Sequence, residues 1–167
     1  MVLLFFGIVA SAMATRLAWR KQQMEAVQAT YRVATEGANE GFYMLRHAGR
    51  SKQIDDFEVV DCNERGAAFY GMQRSQMLGT RITQFCAPAA LPLMLSSCAT
   101  AIATGFHEEE FEVMPGGMLR LTWVHRRLVR SGDGLAVTLR DISEVKRHEQ
   151  QLVRMSRQDV LLSLIHI

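Results

Sequence analysis

The sequence predicts an α+β domain built on a five-stranded antiparallel sheet, and three observations carry that expectation. Two strand-like stretches come first, Phe42 to Leu45 and Phe57 to Cys62. A helical middle follows, reaching to Thr104. Three more strand-like stretches then run consecutively: Phe106 to Met114, Met118 to Val129 and Leu135 to Arg140. They are joined by the short turns Pro115-Gly116-Gly117 and Ser131-Gly132-Asp133-Gly134. Short turns of this kind pair strands antiparallel, and strands segregated from helices define the class.

The 167 residues are 49% hydrophobic and 22% charged, with a formal net charge of +2. That supports one small globular domain with flanking helices. Lysine and arginine are scattered without interleaved aromatics, so no nucleic-acid partner is expected. Cys62, Cys86 and Cys98 are an odd number without CxxC spacing. They fit reduced thiols in the cytosol better than a disulfide framework.

Met1 to Thr15 carries no charged side chain and is rich in Leu, Phe, Val and Ala. A spanning helix needs about 20 such residues, and the run reaches that only if residues 1–19 are counted with Arg16 snorkelling. Trp19-Arg20-Lys21 then reads as an interfacial belt with positive charge on the cytoplasmic side. We therefore expect a membrane helix, the tail end of a longer span, with everything after it in the cytoplasm at the bacterial inner membrane. A signal peptide ending near Ala12-Met13-Ala14 is the rival, but it lacks a positive n-region; a buried core helix is the other. Residues 20–35 read as a linker helix, with Met24, Val27, Tyr31 and Ala34 on one side. It could pair with its copy in a dimer or pack on its own domain. Glu36 to Gly41 breaks it.

Inside the domain, Asn63 is the expected N-cap of a helix running to Tyr70, stopped by Gly71. Ser75 to Gly79 is a further helical turn. Pro88 and Pro92 bracket the start of a longer helix, roughly Leu91 to Thr104, closed by Gly105. After the last strand, Val145, His148, Leu152 and Met155 share one side of a polar helix. Between strand and helix, Asp141 and Glu144 form a capping-box pattern, in which Asp141 would accept from the Glu144 amide and Glu144 would reach back. Taken alone, this is an ordinary strand-to-helix cap.

Arg140-Asp141-Ile142-Ser143-Glu144, with Lys146, Glu149 and Leu152 after it, resembles the end of a bacterial PAS domain, where Asp-x-Thr/Ser closes the sheet and opens a signalling helix. Gly41, Cys62-Asn63, Ala67-Ala68, Gly71, Leu78-Gly79 and Trp123 agree with that family in order. The resemblance implies a PAS domain over residues 36–143 with helices on one face of the sheet, a signalling helix over 144–161, and Asp141, Ser143 and Glu144 as the signal relay. It implies a sensory and dimerising role, with a homodimer and a membrane as partners.

No catalytic constellation is present. Glu108-Glu109-Glu110 would alternate across a strand and reads as a solvated edge. His107 and His125 would reach a metal only if their strands brought them together. Flavin-binding members carry Asn-Cys-Arg, whereas here the order is Asp61-Cys62-Asn63, and Cys86 follows Phe85. Haem members commonly use a histidine on the long helix, which has none. Neither cofactor is expected. Leu95, Cys98 and Ile102, with Met94, Met114 and Trp123, are the expected lining of a pocket for a small apolar ligand, the other expectation being a packed core.

Leu152 to Leu161 resembles the lead-in to a GGDEF diguanylate cyclase domain, in which Asp-x-Leu precedes Thr-Gly-Leu and an Asn-Arg pair. Leu162-Ser163-Leu164-Ile165-His166-Ile167 follows instead and resembles a translated sequencing adapter, so residues 162–167 are expected to be a non-native tail. The chain itself is expected not to be an enzyme. The expected role is a membrane-tethered sensor relaying to a diguanylate cyclase. The alternatives are the input module of a histidine kinase, whose His-Glu pattern His148-Glu149 matches only superficially because it lies seven residues beyond Asp141 and too close to the sheet, and a standalone ligand-binding protein.

Overall fold

Alternating apolar residues in the described strands put one row of side chains on a common face, and the sheet follows from pairing those rows. The structure, a computed structural model, describes residues 39–49 and 56–166. The expected membrane helix (1–19) and linker helix (20–35) lie outside the described residues. No helix among the described residues is long and apolar enough to cross a membrane.

Five strands, β1 (Glu40–His47), β2 (Phe57–Cys62), β3 (Phe106–Glu112), β4 (Trp123–Ser131) and β5 (Gly134–Asp141), form one antiparallel sheet in the order β2-β1-β5-β4-β3. The row Cys62, Tyr43, Val137, Leu128 and His107 crosses all five strands in register. The first four of these side chains are buried.

The helical middle divides into α1 (Glu64–Phe69), α2 (Arg74–Met77), α3 (Ile82–Phe85) and α4 (Leu91–Thr104). Asn63 caps α1 as expected, accepting from the Gly66 amide at 2.8 Å. The same oxygen accepts from the Phe42 amide at 2.9 Å, and its amide nitrogen donates to the Glu40 carbonyl at 2.9 Å. One side chain therefore fixes α1 to β1, and such a cap contributes about 1 kcal/mol. Helix α4 buries Met94, Ser97, Cys98 and Ala101, the i, i+3, i+4, i+7 stripe of a helix lying on a core. Gly105 ends it at φ 93°, a left-handed geometry that glycine takes without a Cβ penalty.

Three elements differ from the reading of the sequence. Helix α3 has no signal in the sequence pattern; it is held by Asp56, whose carboxylate accepts from the Thr83 hydroxyl at 2.8 Å. Strand β4 begins at Trp123 rather than Met118. The Met118 and Arg120 amides donate to the Phe85 and Phe69 carbonyls, at 3.0 and 2.8 Å, so this run crosses the helical layer instead of pairing with β3. The last helix, α5, spans Ser143–Ile165, starting one residue before and ending four residues beyond the expected signalling helix over 144–161.

Candidate functional site

Between α4, the Ile82–Ala87 segment, β3 and the loop after it lies a cavity of about 330 Å³. This is near the low end of the range found for small-molecule sites, about 300–1,000 Å³. Phe85, Leu93, Met94, Phe111, Met114 and Leu119 supply most of its apolar wall.

The polar part of the wall holds Ser96, Ser97, Glu112 and the group Arg126, Glu109 and His107, with His107 Nε2 3.7 Å from Glu109 Oε1. Arg126 on β4 is only 9% exposed. It stands directly opposite Glu109 in the β3–β4 register. Its Nε and Nη2 both donate to Glu109 Oε1, at 3.0 and 2.6 Å, and its Nη1 donates to the Met94 thioether. The guanidinium carbon lies 4.6 Å from the Phe111 ring centroid, a cation–π arrangement. Burial alone would raise the Glu109 carboxyl, but the Arg126 charge and hydrogen bonds from Arg126 and Ser97 outweigh it and hold it below the usual range. Cys86 also borders the cavity, and burial pushes its thiol up more strongly than Arg126 draws it down. Burial likewise raises Cys98 to about 12 and Cys62 to about 11. These thiols are protonated at neutral pH, so no thiolate nucleophile faces the cavity.

Of the residues expected to line a pocket, Met114 does and so does Met94. Cys98 is fully buried in the core, while Leu95 and Ile102 pack against that core from the side. The inward stripe of α4 runs through Met94, Ser97, Cys98 and Ala101, one position round from the Leu95–Cys98–Ile102 line read from the sequence. Trp123 lies at the other end of β4, at the strand–helix junction. Glu109 and Arg126 were missed. The signal was there in retrospect: His107-Glu108-Glu109-Glu110 and His125-Arg126-Arg127 face each other across neighbouring strands.

On the opposite face of the sheet the same two strands carry a second set of charges. Glu108 meets His125 at 2.7 Å and Arg127 at 3.0 Å, and Glu110 meets Lys146 at 2.8 Å. Glu108 and Glu110 are exposed on the edge strand, as the alternation predicts, and each is also ion-paired, while Glu109 turns inward. His107 and His125 fall on opposite faces, and no metal-binding group occurs among the described residues.

The junction departs from the expected capping box. Asp141 accepts from the Ser143 amide at 2.9 Å and the Ser143 hydroxyl at 2.5 Å, and Ile142 is the N-cap position. Glu144 points instead to Arg147, at 3.6 Å. Ser143 occupies the Asp141 carboxylate in place of the Glu144 amide, and its hydroxyl also accepts from the Trp123 amide at 3.0 Å. The Ile142 amide donates to the Trp123 carbonyl at 3.1 Å, so the chain stays in the β4 ladder until the helix begins. Lys146 then sits 5.4 Å from the Trp123 ring centroid while reaching Glu110. Asp141 and Ser143 are thus brought together at the start of β4, and Glu144 is left on the exposed side.

Sheet order, a helical layer on one face and an exit helix continuous with the last strand decide the architecture. The fold is that of a PAS domain. A PAS domain from Colwellia psychrerythraea aligns with a TM-score of 0.55 at 17% identity, covering 71% of this chain and 98% of that one. The PAS domain of Bordetella pertussis BvgS gives 0.51 at 18% identity, covering 82% and 98%. A PAS domain from a LuxR-family transcriptional regulator of Burkholderia thailandensis, solved in complex with ethanol, gives 0.51 at 19%, covering 68% and 97%. No family model and no curated protein matches the sequence.

Proposed function

We propose that this chain is the sensory and dimerising module of a bacterial signalling protein held at the inner membrane, with its PAS-fold domain in the cytoplasm. A small, largely apolar ligand enters the cavity, without haem or flavin, and α5 carries the response to an output domain. A diguanylate cyclase is the output that the Leu152 to Leu161 resemblance favours; the chain itself contributes no catalysis and contacts no nucleic acid. A histidine kinase is the second reading. It is supported by a neighbour of the same fold, a domain of a sensory box sensor histidine kinase/response regulator from Geobacter sulfurreducens, and not by His148, which lies too close to the sheet.

One observation supports the relay above the rest. Strand β3 carries Glu109 into the cavity and, one residue on, presents Glu110 to Lys146 of α5 on the other face. A ligand that favours one arrangement of β3 therefore biases the seat of the helix, which is the differential interaction a switch requires. The neighbour solved in complex with ethanol supports a small-molecule ligand for a domain of this fold.

Hydrogen exchange on the whole chain, with and without hexanol as probe, tests this. Expected are changes at cavity residues on α4 and β3 together with changes in residues 143–165. A change confined to the cavity removes the relay, and no change anywhere removes the ligand site.

A further inference from the structure

We propose that the cavity takes a small monocarboxylate with an apolar body, whose carboxylate replaces that of Glu109 on Arg126. The inference rests on the reading of the cavity as the ligand site and specifies what enters it.

A guanidinium presents five N–H donors in a planar fork suited to a carboxylate. Here two of them converge on a single oxygen of Glu109, and one is spent on the Met94 sulfur, a weak acceptor. A ligand carboxylate that takes both of its oxygens to the fork makes better use of the same donors. The two partners of the present pair are unequal. The Arg126 side chain is 10% exposed, whereas that of Glu109 is 28% exposed. Glu109 belongs to β3, the edge strand of the sheet, which pairs only with β4. On exchange the glutamate can regain water, while the arginine keeps a counter-ion and never stands buried and unpaired, the costly state for such a group.

The rest of the wall narrows the class. Arg126 is the only lysine or arginine among the described residues lining the cavity, and Glu109 and Glu112 are both there. One anionic group is matched, and a second would meet carboxylates. A cationic ligand would have to approach Glu109 against Arg126. The apolar body has Phe85, Phe111 and Leu119 to lie against. The Tyr70 hydroxyl, also in the lining, has no hydrogen-bond partner among the described residues and offers a further donor.

The test is titration of the full chain at neutral pH with phenylacetate, its neutral amide phenylacetamide and the cation phenethylammonium, by calorimetry with amide chemical shifts locating the site. The acid should bind about tenfold more tightly than the amide, a difference of about 1.4 kcal/mol. Glu109→Gln removes the internal competitor and should tighten the acid several-fold with the amide unchanged. Arg126→Gln should erase the preference for the acid. If that variant does not fold, the pair Arg126→Met with Glu109→Leu, which removes both charges together, should erase it equally. Equal affinity of acid and amide, tighter binding of the amine, or weaker acid binding by Glu109→Gln overturns the inference. If the amide shifts cavity residues as strongly as the acid, only the carboxylate assignment falls. If no probe shifts them, the ligand reading falls with it.

Discussion

Ser143 does more at the junction than the acidic residues flanking it. Its hydroxyl is the acceptor for the Trp123 amide and the donor to Asp141, so it ties the first residue of α5 to the first residue of β4. Asp141 is exposed and only orients that hydroxyl. Ser143→Ala leaves a half-buried amide without its side-chain acceptor, a loss of about 1–2 kcal/mol. Asp141→Ala costs less, because water replaces the carboxylate at the surface. Hydrogen exchange at Trp123 and through residues 143–150 should accelerate more in Ser143→Ala than in Asp141→Ala, with the β1–β5 amides unchanged in both. The reverse order would show that the carboxylate, not the hydroxyl, holds the helix start. Glu144 has no comparable role, and Glu144→Ala should leave the same amides as they were.

At the scale of the element, β3 is a two-sided device. Its odd member His107 and Glu109 face the helices, and Glu108 and Glu110 face away, so one strand reads the cavity and grips α5. The hydrogen bond from Lys146 holds the Glu110 carboxyl below its ordinary value of 4.5, and the bond to Glu110 holds Lys146 above its ordinary 10.5. A carboxyl lowered on folding stabilises above its unfolded value and loses that contribution as pH falls through the folded one; a raised lysine stabilises below its unfolded value and loses it as pH rises. The grip is therefore complete between about 4.5 and 10.5. Fluorescence of Trp123, against which Lys146 lies, read in a Trp19→Phe chain, should change on the acid side below that window. In Lys146→Met the acid-side change should vanish; its persistence would assign it to another group. Most of these elements were legible in the residues. Strand alternation gave β2 and β5 closely, and Asn63 and Gly105 marked a helix start and a helix end because their chemistry acts within a few residues. What escaped depends on partners far along the chain. Helix α3 is fixed by Asp56, the late start of β4 by the Phe69 and Phe85 carbonyls, and the cavity's charge pair by strand register. The capping box failed locally: Asp141 and Glu144 have the right spacing, but the Asp141 carboxylate accepts from the Ser143 amide and hydroxyl, two residues on, instead of the Glu144 amide.

For the whole molecule the unresolved balance of forces lies in α5. A helix of 23 residues is about 35 Å long, and none of its residues is buried. Helix stability in water comes mainly from packing an apolar face. Val145, Leu152, Met155 and Leu162 are each more than half exposed. Together with His148 and Asp159 they follow a 3–4 spacing, the seam that two helices bury by supercoiling. The two polar members keep the seam weak. We propose that a second copy of this chain covers this seam; Lys146, Arg147, Glu149 and Arg154 flank its first half, while Val153, Val160 and Leu161 lie off it and are exposed as well. We therefore expect the chain to be a dimer in light scattering at tens of micromolar, and Leu152→Glu combined with Met155→Glu to shift it to monomer by placing four carboxylates on the seam. Far-ultraviolet circular dichroism should then lose helical signal while the sheet contribution remains, because α5 alone depends on the partner. A wild-type monomer, or a double variant that stays dimeric, would mean that α5 is covered by something other than its own copy.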